Sequence, residues 1–161
     1  MNTLTETEAA YFAGLIDGDG RILAQIVERP DYILKHQLRV SILLIQSKKR
    51  MHFLKQFQKE IEAGTLRDRG DGIAELAIVG IHTVLPFLKQ IQPFLRLKLK
   101  QANLVIQIIE QLPLTKNNAE KFLWLCQLAD QVSELNDSKS QNKITATRVK
   151  QRFLDLGLIT N

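Results

Sequence analysis

The chain has 161 residues, 45% hydrophobic and 24% charged, which is enough for one domain with its own core. Its net charge of +5, from 22 Lys and Arg against 17 Asp and Glu, favours a polyanionic partner. The single cysteine, Cys126, excludes an internal disulfide, and no apolar run approaches the ~20 residues that cross a bilayer. We therefore expect a buried thiol and no membrane partner.

A capping box begins the first predicted helix. Thr5 and Glu8 have the spacing of that motif, which predicts a helix from near Thr5 to about Asp17. Gly18 and Gly20 follow at once, and glycine ends helices. The chain therefore begins with a short helix that ends in an acidic, glycine-rich segment.

Two strands, a second helix and a hairpin follow. The segments "RILAQIVERPDY" and "LKHQLRVSILLIQ" alternate apolar and polar residues and are separated by a turn at Pro30-Asp31. A helix is predicted from about Ser47 to Ile61, and "TLRDRGDGIAELAIVG" predicts a hairpin with Asp71-Gly72 in its turn. Four adjacent antiparallel strands form one sheet, whose apolar face must be covered by helices and whose polar face is left open.

The open face of this predicted sheet is rich in Arg and Gln. Its members are Arg21, Gln25, Arg29, Lys35, Gln37, Arg39, Arg67 and Arg69. One interpretation is an ordinary solvated surface. The other is a nucleic-acid interface, because Arg and Gln pair with guanine and adenine edges and a twisted strand ribbon can enter a major groove.

The rest of the chain is predicted to be helical. Three apolar-periodic segments are "HTVLPFLKQIQPFL", "KLKQANLVIQIIEQL" and "NAEKFLWLCQLADQVSELN". A polar linker, "DSKSQNK", separates them from a last helix in "ATRVKQRFLDLG". The apolar residues of these helices are interpreted as core.

The segment "AYFAGLIDGDG" places two carboxylates, Asp17 and Asp19, at the negative end of the first helix, where acids are disfavoured. A calcium loop does not fit, because Arg21 stands at its fifth position and Ile22 replaces the glycine required at the sixth. Two interpretations remain. Either both aspartates bind nearby backbone amides in a structural turn, or they form a metal site for phosphodiester chemistry.

The segment "FAGLIDGDG" resembles the LAGLIDADG motif at seven of nine positions, with departures at Phe12 and Gly18. The segments "KHQLRVSILLIQSKKR", "LRDRGDGIAE" and "QPFLRLKLKQANLVIQIIEQLP" are similar to the single-motif, homodimeric LAGLIDADG homing endonucleases of algal chloroplast group I introns. This resemblance extends to "NDSK". It implies an α+β fold with an αββαββα core: a four-stranded antiparallel saddle sheet, helices on one face and extra C-terminal helices. We expect one domain over 1–161, with a core at 1–135 and a loop and helix at 136–161.

The resemblance also implies an activity. Family members cut double-stranded DNA site-specifically for intron homing, as homodimers on a long pseudo-palindromic site, and hydrolyse phosphodiester bonds across the minor groove. No small-molecule substrate is expected. The first ten residues have no signal-peptide core and no Arg-rich leader, so we expect an intracellular, chloroplast-encoded protein that works where it is made.

Site residues are carried over from the resemblance position by position. Asp19 and the Gly18 carbonyl would bind Mg²⁺, with Mn²⁺ as a substitute, and Gln46, Arg50 and Lys98 match the other active-site positions. The subunit interface would include Phe12, Ala13, Gly14 and Asp17. Base-contacting positions are Gln25, Arg29, Tyr32, Gln37, Arg39, Arg67, Arg69 and Glu75, and a phosphate-contacting loop contains Ser138, Lys139 and Lys143. Base preferences are not predicted at Val27, Asp31, Leu43 and Ala77.

Two other functions stay open at this point. One is a group I intron maturase, an RNA-splicing cofactor, and the other is a DNA-binding regulator that does not cleave. For either function we would expect some of the metal-binding or charged active-site residues to be missing. Asp19, Gln46, Arg50 and Lys98 are all present, which favours the endonuclease.

Overall fold

The computed structural model of the chain describes residues 1–137 and 143–161. Its helices are α1 (Glu6–Asp19), α2 (Met51–Ile61), α3 (Ile81–Ile91), α4 (Leu99–Gln111), α5 (Ala119–Leu135) and α6 (Ala146–Asp155). Its strands are β1 (Gly20–Glu28), β2 (His36–Ser47), β3 (Thr65–Asp68) and β4 (Ile73–Val79). The predicted order of helix, two strands, helix, two strands and further helices is confirmed.

The four strands form one antiparallel sheet in the order β1-β2-β4-β3. The long strand β2 pairs with β1 from His36 to Leu44 and with β4 from Ser41 to Ser47. Burial alternates along β1, where even-numbered residues from Ile22 to Ile26 are buried. The predicted apolar and polar faces are therefore confirmed for β1, and α1, α2 and α3 pack on the sheet.

The capping box at the start of α1 is present. The Thr5 side chain accepts from the Glu8 backbone N–H, and the Glu8 carboxylate accepts from the Thr5 N–H at 2.8 Å. This hydrogen bond from the Thr5 backbone holds the pKa of Glu8 below its ordinary value. The helix ends at Asp19, two residues later than predicted. Gly20 then starts β1 so close to α1 that a Cβ there would lie 2.8 Å from the Cα of Ile16.

The second helix starts later than predicted. Ser47 caps a 3₁₀ turn over Lys48–Arg50, and the α-helix begins only at Met51. The tighter turn leaves the three basic side chains of Lys48–Arg50 exposed beside the end of β2.

The core lies between the sheet and the helices. The Phe57 ring of α2 meets Phe12 of α1 edge-on at 4.4 Å and Phe87 of α3 at 6.2 Å between ring centroids. Phe12 is 1% exposed and Ala13 is 0% exposed. Both residues, which the resemblance places at the subunit interface, therefore face the core of their own subunit, and their contact with a second subunit stays a prediction.

The C-terminal helices enlarge the same core. Helix α5 packs against β1, α4 and α6. It also buries Cys126, as predicted, and this burial raises the pKa of the thiol. Within residues 1–137 and 143–161, no helix has the length and apolar character needed to cross a membrane.

Replacing Phe57 with alanine should lower the free energy of unfolding by about 3–5 kcal/mol, because the lost ring leaves a cavity between Phe12 and Phe87. Phe57→Leu keeps most of the volume and should cost less than half as much. Urea unfolding of both variants checks this, provided the slope of the transition is unchanged. Equal losses for the two variants would contradict the packing described.

Candidate active site

Three polar side chains form a chain of hydrogen bonds at the exposed end of α1. Gln46 donates from Nε2 to Asp19 Oδ2 at 2.6 Å, and Arg50 donates from Nη1 to Gln46 Oε1 at 3.5 Å. The sheet register explains this meeting. Gly20, which follows Asp19, pairs with Leu44, so Gln46 near the end of β2 lies beside the end of α1. The structure thus brings together three of the four predicted catalytic side chains.

Lys98, the fourth, lies on the other side of the same helix end. Its Nζ donates to the Asp17 carbonyl at 2.5 Å. The Asp17 carboxylate in turn accepts from the backbone N–H groups of Arg96 at 2.8 Å and Lys98 at 2.9 Å. A cation therefore reaches the negative end of α1, where it is stabilising.

The two aspartates of the motif consequently have different environments. Asp17 matches the structural-turn interpretation, because its carboxylate accepts two hydrogen bonds inside its own subunit. Its place at the subunit interface stays a prediction. Asp19 is exposed and is bound only by a side-chain amide among the hydrogen bonds of the described residues. Only Asp19 is thus presented to solvent for chemistry.

The oxygens at this helix end suit a hard divalent cation. Gly18 and Asp19 are both exposed, and together they offer a backbone carbonyl and a carboxylate. In the part of the chain that the structure describes, no three His, Cys, Asp or Glu residues converge as a ligand cluster. A cation bound here would therefore take most of its ligands from water or from another molecule.

The open face of the sheet presents the predicted polar side chains beside this site. Gln25 and Arg39 are cross-strand partners in β1 and β2 and are both exposed. At the outer end of this ribbon, Arg29 donates from Nε to Gln37 Oε1 at 3.0 Å. Tyr32, in the loop between the strands, is 43% exposed.

The hairpin β3–β4 holds the remaining polar residues of this face. Arg67 forms an ion pair with Glu75 at 3.1 Å between Nη2 and Oε1, and Glu75 is only 8% exposed. Glu75 thus supports the Arg67 guanidinium from below. Arg69 lies 3.4 Å from Asp71 in the turn. Opposite charges in cross-strand register are a signal from which the first of these pairs could have been found.

The predicted phosphate-contacting loop is described only in part. Ser138 and Lys139 lie outside the described residues. Lys143 donates from Nζ to Ser133 Oγ at 2.9 Å, which holds its ammonium against α5.

The outer face of α1 is formed mostly by residues that the sequence analysis did not assign to an interface. Ala10, Tyr11, Gly14 and Gly18 are exposed, whereas Ala9 and Ile16 are buried with Phe12 and Ala13. Apart from the neighbouring backbone of α1 itself, a Cβ at Gly14 or Gly18 would meet no atom of the described residues within 4 Å. Of the predicted interface residues, Gly14 alone lies on this face. Leu97, next to the backbone groups that bind Asp17, is 76% exposed.

The chain is similar to two DNA endonucleases of algae. It is 45% identical over 148 residues to the DNA endonuclease I-CreI of Chlamydomonas reinhardtii, covering 91% of this chain and 90% of that protein. It is 43% identical over 148 residues to the DNA endonuclease I-CvuI of Chlorella vulgaris, covering 92% and 91%. No protein-family model matches the chain.

The chain is also similar to solved structures of homing endonucleases. A crystal structure of the homing endonuclease I-CvuI with the I-CreI target has a TM-score of 0.90 at 39% identity, over 96% of this chain and 98% of that one. The archaeal intron-encoded homing endonuclease I-Vdi141I, bound to DNA, has a TM-score of 0.80 at 15% identity, which shows the shared fold. The chain belongs to the LAGLIDADG homing endonuclease family, in its single-motif group.

The two aspartates should differ in their effect on stability. Asp17→Ala should lower the free energy of unfolding by about 1–3 kcal/mol, because it leaves the backbone N–H groups of Arg96 and Lys98 without their acceptor. Asp19→Ala, the matched control, should change it by less than about 0.5 kcal/mol, since it removes an exposed group. Urea unfolding of both variants is the measurement, and a larger loss for Asp19→Ala would contradict this division.

Proposed function

We propose that the chain is a site-specific, double-strand DNA endonuclease that acts as a homodimer and serves intron homing. The observation that carries this proposal is the hydrogen-bonded set of exposed Asp19, half-buried Gln46 and exposed Arg50 at the edge of a polar sheet face. Membership of a family of endonucleases supports the same activity. A non-cleaving regulator would have no need of this intact set.

The proposed substrate is duplex DNA, held on the open face of the sheet. Arg and Gln side chains on a twisted strand ribbon suit base edges in the major groove. The proposed base readers are Gln25, Arg29, Tyr32, Gln37, Arg39, Arg67 and Arg69, with Glu75 supporting Arg67. Ser138, Lys139 and Lys143 are the proposed phosphate contacts. I-CvuI was crystallised with DNA targets, which supports DNA as the ligand.

The proposed homodimer follows from the number of active sites that double-strand cleavage requires. One chain holds one copy of Asp19, and cutting a duplex requires chemistry on two strands. Two-fold symmetry doubles the site and repeats the reading surface, which gives an approximately palindromic target of roughly 20 base pairs.

The proposed interface is the outer face of α1, formed by Ala10, Tyr11, Gly14 and Gly18, together with Leu97. Glycine lets two helix backbones approach closely, and none of the described residues of the same subunit fills the space above Gly14. A parallel pair of α1 helices, related by a two-fold axis that runs along them, would bring their two C-terminal ends, and hence the two Asp19 carboxylates, to one point. The exposed apolar surface of Leu97 and Tyr11 would then be covered.

The proposed cofactor is Mg²⁺, with Mn²⁺ as a substitute. The Asp19 carboxylate and the Gly18 carbonyl would hold it, since Mg²⁺ takes oxygen ligands and keeps several positions for water and phosphate. When bound, the ion supplies charge stabilisation at the scissile phosphate and a more acidic water. I-CvuI structures were determined with Mg and with Ca, which supports a divalent ion.

The chain's own groups would prepare this site. Gln46 fixes the Asp19 carboxylate by the 2.6 Å hydrogen bond, so one oxygen is committed and the carboxylate cannot rotate freely. Arg50 and Lys98 would place positive charge beside the phosphate, where negative charge grows as the water attacks. Asp17 would keep Lys98 and the end of α1 in fixed relation.

The same relatives support a proposal about the compartment in which the chain works. They come from two algae, and we propose that this chain also works inside an algal chloroplast, encoded by the intron that it mobilises.

Asp19→Asn should lower cleavage by more than about 100-fold, because a neutral amide is a poor ligand for a hard cation. Binding to the same DNA should be retained within about threefold, because the sheet supplies the contacts. The test incubates both proteins, with Mg²⁺, on a library of partly randomised duplexes based on the I-CreI target, and a gel shift measures binding. Double-strand products with wild-type protein support the proposal. Cleavage of no library member would refute it, and full activity of Asp19→Asn would remove that residue from the mechanism.

Gly14→Leu should shift the protein from dimer to monomer, because a side chain there prevents the close approach of two α1 helices. Sedimentation at micromolar concentration measures this. Gln127→Leu, which adds the same side chain to an exposed position of α5, is the control and should remain dimeric. A dimeric Gly14→Leu protein would place the interface elsewhere.

A further inference from the structure

An ion pair joins the tip of the β3–β4 hairpin to the turn that follows the active-site strand. Lys48 Nζ lies 2.7 Å from Asp68 Oδ2, and the Lys48 backbone N–H donates to the Gly72 carbonyl at 2.8 Å. Lys48 stands two residues after Gln46 and two before Arg50. The pair thus fixes the segment that carries both side chains to the hairpin.

Asp68 has this position because strands alternate. Arg67 and Arg69 flank it, and successive side chains of a strand point to opposite faces. Arg67 reaches Glu75 on the open face, so Asp68 points to the other side, where Lys48 lies. One short segment therefore offers guanidinium groups to DNA and a carboxylate to the active-site turn.

The second oxygen of Asp68 orders the hairpin turn itself. Oδ1 accepts from the Gly70 N–H at 2.9 Å. The hydrogen bond from Lys48 holds the pKa of Asp68 below its ordinary value, and that of Lys48 is raised by the same contact. Both groups therefore stay charged at neutral pH, and the carboxylate serves the turn and the lysine together.

We propose that Asp68 is a positioning residue: through Lys48 it sets the active-site turn, with Gln46 and Arg50, relative to the hairpin that reads the DNA. The inference rests on the proposed endonuclease function and deepens it. It assigns to two residues outside the catalytic set the task of coupling base reading to cleavage geometry.

Removing the Lys48–Asp68 ion pair should lower the cleavage rate and should hardly change the free energy of unfolding. Both side chains are largely exposed, and such pairs contribute little to the free energy of unfolding. The rate is more sensitive, because displacing a reacting group by about 1 Å can cost up to 10²-fold.

The experiment uses Asp68→Asn, Lys48→Met and the double variant. Asparagine keeps an oxygen for the Gly70 N–H and removes only the charge. The matched control is Lys89→Met with Glu110→Gln, which breaks a pair of equal length, 2.7 Å, and similar exposure between α3 and α4. Single-turnover cleavage at saturating enzyme separates the chemical step from binding, and binding is measured in an Asp19→Asn background.

Each single variant should cleave about tenfold more slowly, and the double variant should be no slower than the slower single variant, because the two act as one unit. Asp68→Asn should bind DNA as tightly as its parent or more tightly, since it removes a negative charge. The control should cleave at the wild-type rate. Hydrogen exchange of the Lys48 amide should quicken in Asp68→Asn, because its bond to Gly72 loses support.

Three results would overturn the inference. They are wild-type cleavage by Asp68→Asn, losses that multiply in the double variant, and an equal loss in the control. If wild-type protein cleaves nothing, the proposed function fails, and amide exchange at Lys48 still decides the link: unchanged exchange in Asp68→Asn would reject it.

Discussion

Two carboxylates at the negative end of α1 repel the helix dipole and each other, and the surrounding structure depends on how that repulsion is relieved. Asp17 is turned inward, where two backbone N–H groups bind it and Lys98 covers its carbonyl. Asp19 is turned outward and receives one amide from Gln46. The helix end is thus stabilised by one aspartate, and the other stays exposed at the point where the proposed ion would bind.

The sheet converts this local arrangement into a site. Because Gly20 ends α1 and begins β1 without a loop, the position of Asp19 is fixed by the register of the sheet. That register also sets Gln46 beside it and Arg67 opposite Glu75. In the proposed function, base reading and cleavage therefore share one rigid frame, and a shift of the sheet by one residue would disturb both.

Much of the fold and of the candidate site could be predicted from the sequence, because these parts depend on residues that are close together along the chain. The capping box at Thr5, the alternation of β1 and the resemblance of "FAGLIDGDG" all predicted elements that the structure contains. The orientation of α1 could not be predicted in the same way. From Ala9 to Ile16 its residues are all small or apolar, so no polar stripe distinguishes the outer face, and nothing in the sequence indicates that Phe12 and Ala13 are buried in their own subunit.

Contacts between distant segments could not be predicted from the sequence either. Asp17 and Lys98 are 81 positions apart, and nothing local indicates that one binds the other. The same holds for Lys48 and Asp68, two exposed residues whose types are common on any surface.

The outer face of α1 shows why assembly and chemistry are joined in the proposed dimer. Gly14 and Gly18 leave open space on that face beside Tyr11, and in the proposed site Gly18 also offers its carbonyl to the ion. A side chain at either position would hold the two helices apart, and the two Asp19 carboxylates with them. The features that permit close packing are therefore those that bring the two half-sites to one point. A single subunit holds no cluster of three ligating side chains among its described residues, so in the proposed dimer the remaining ligands of the ion would come from the partner, the DNA and water. On this argument the subunit interface is part of the active site, and a chain that folds correctly alone would still be an incomplete enzyme.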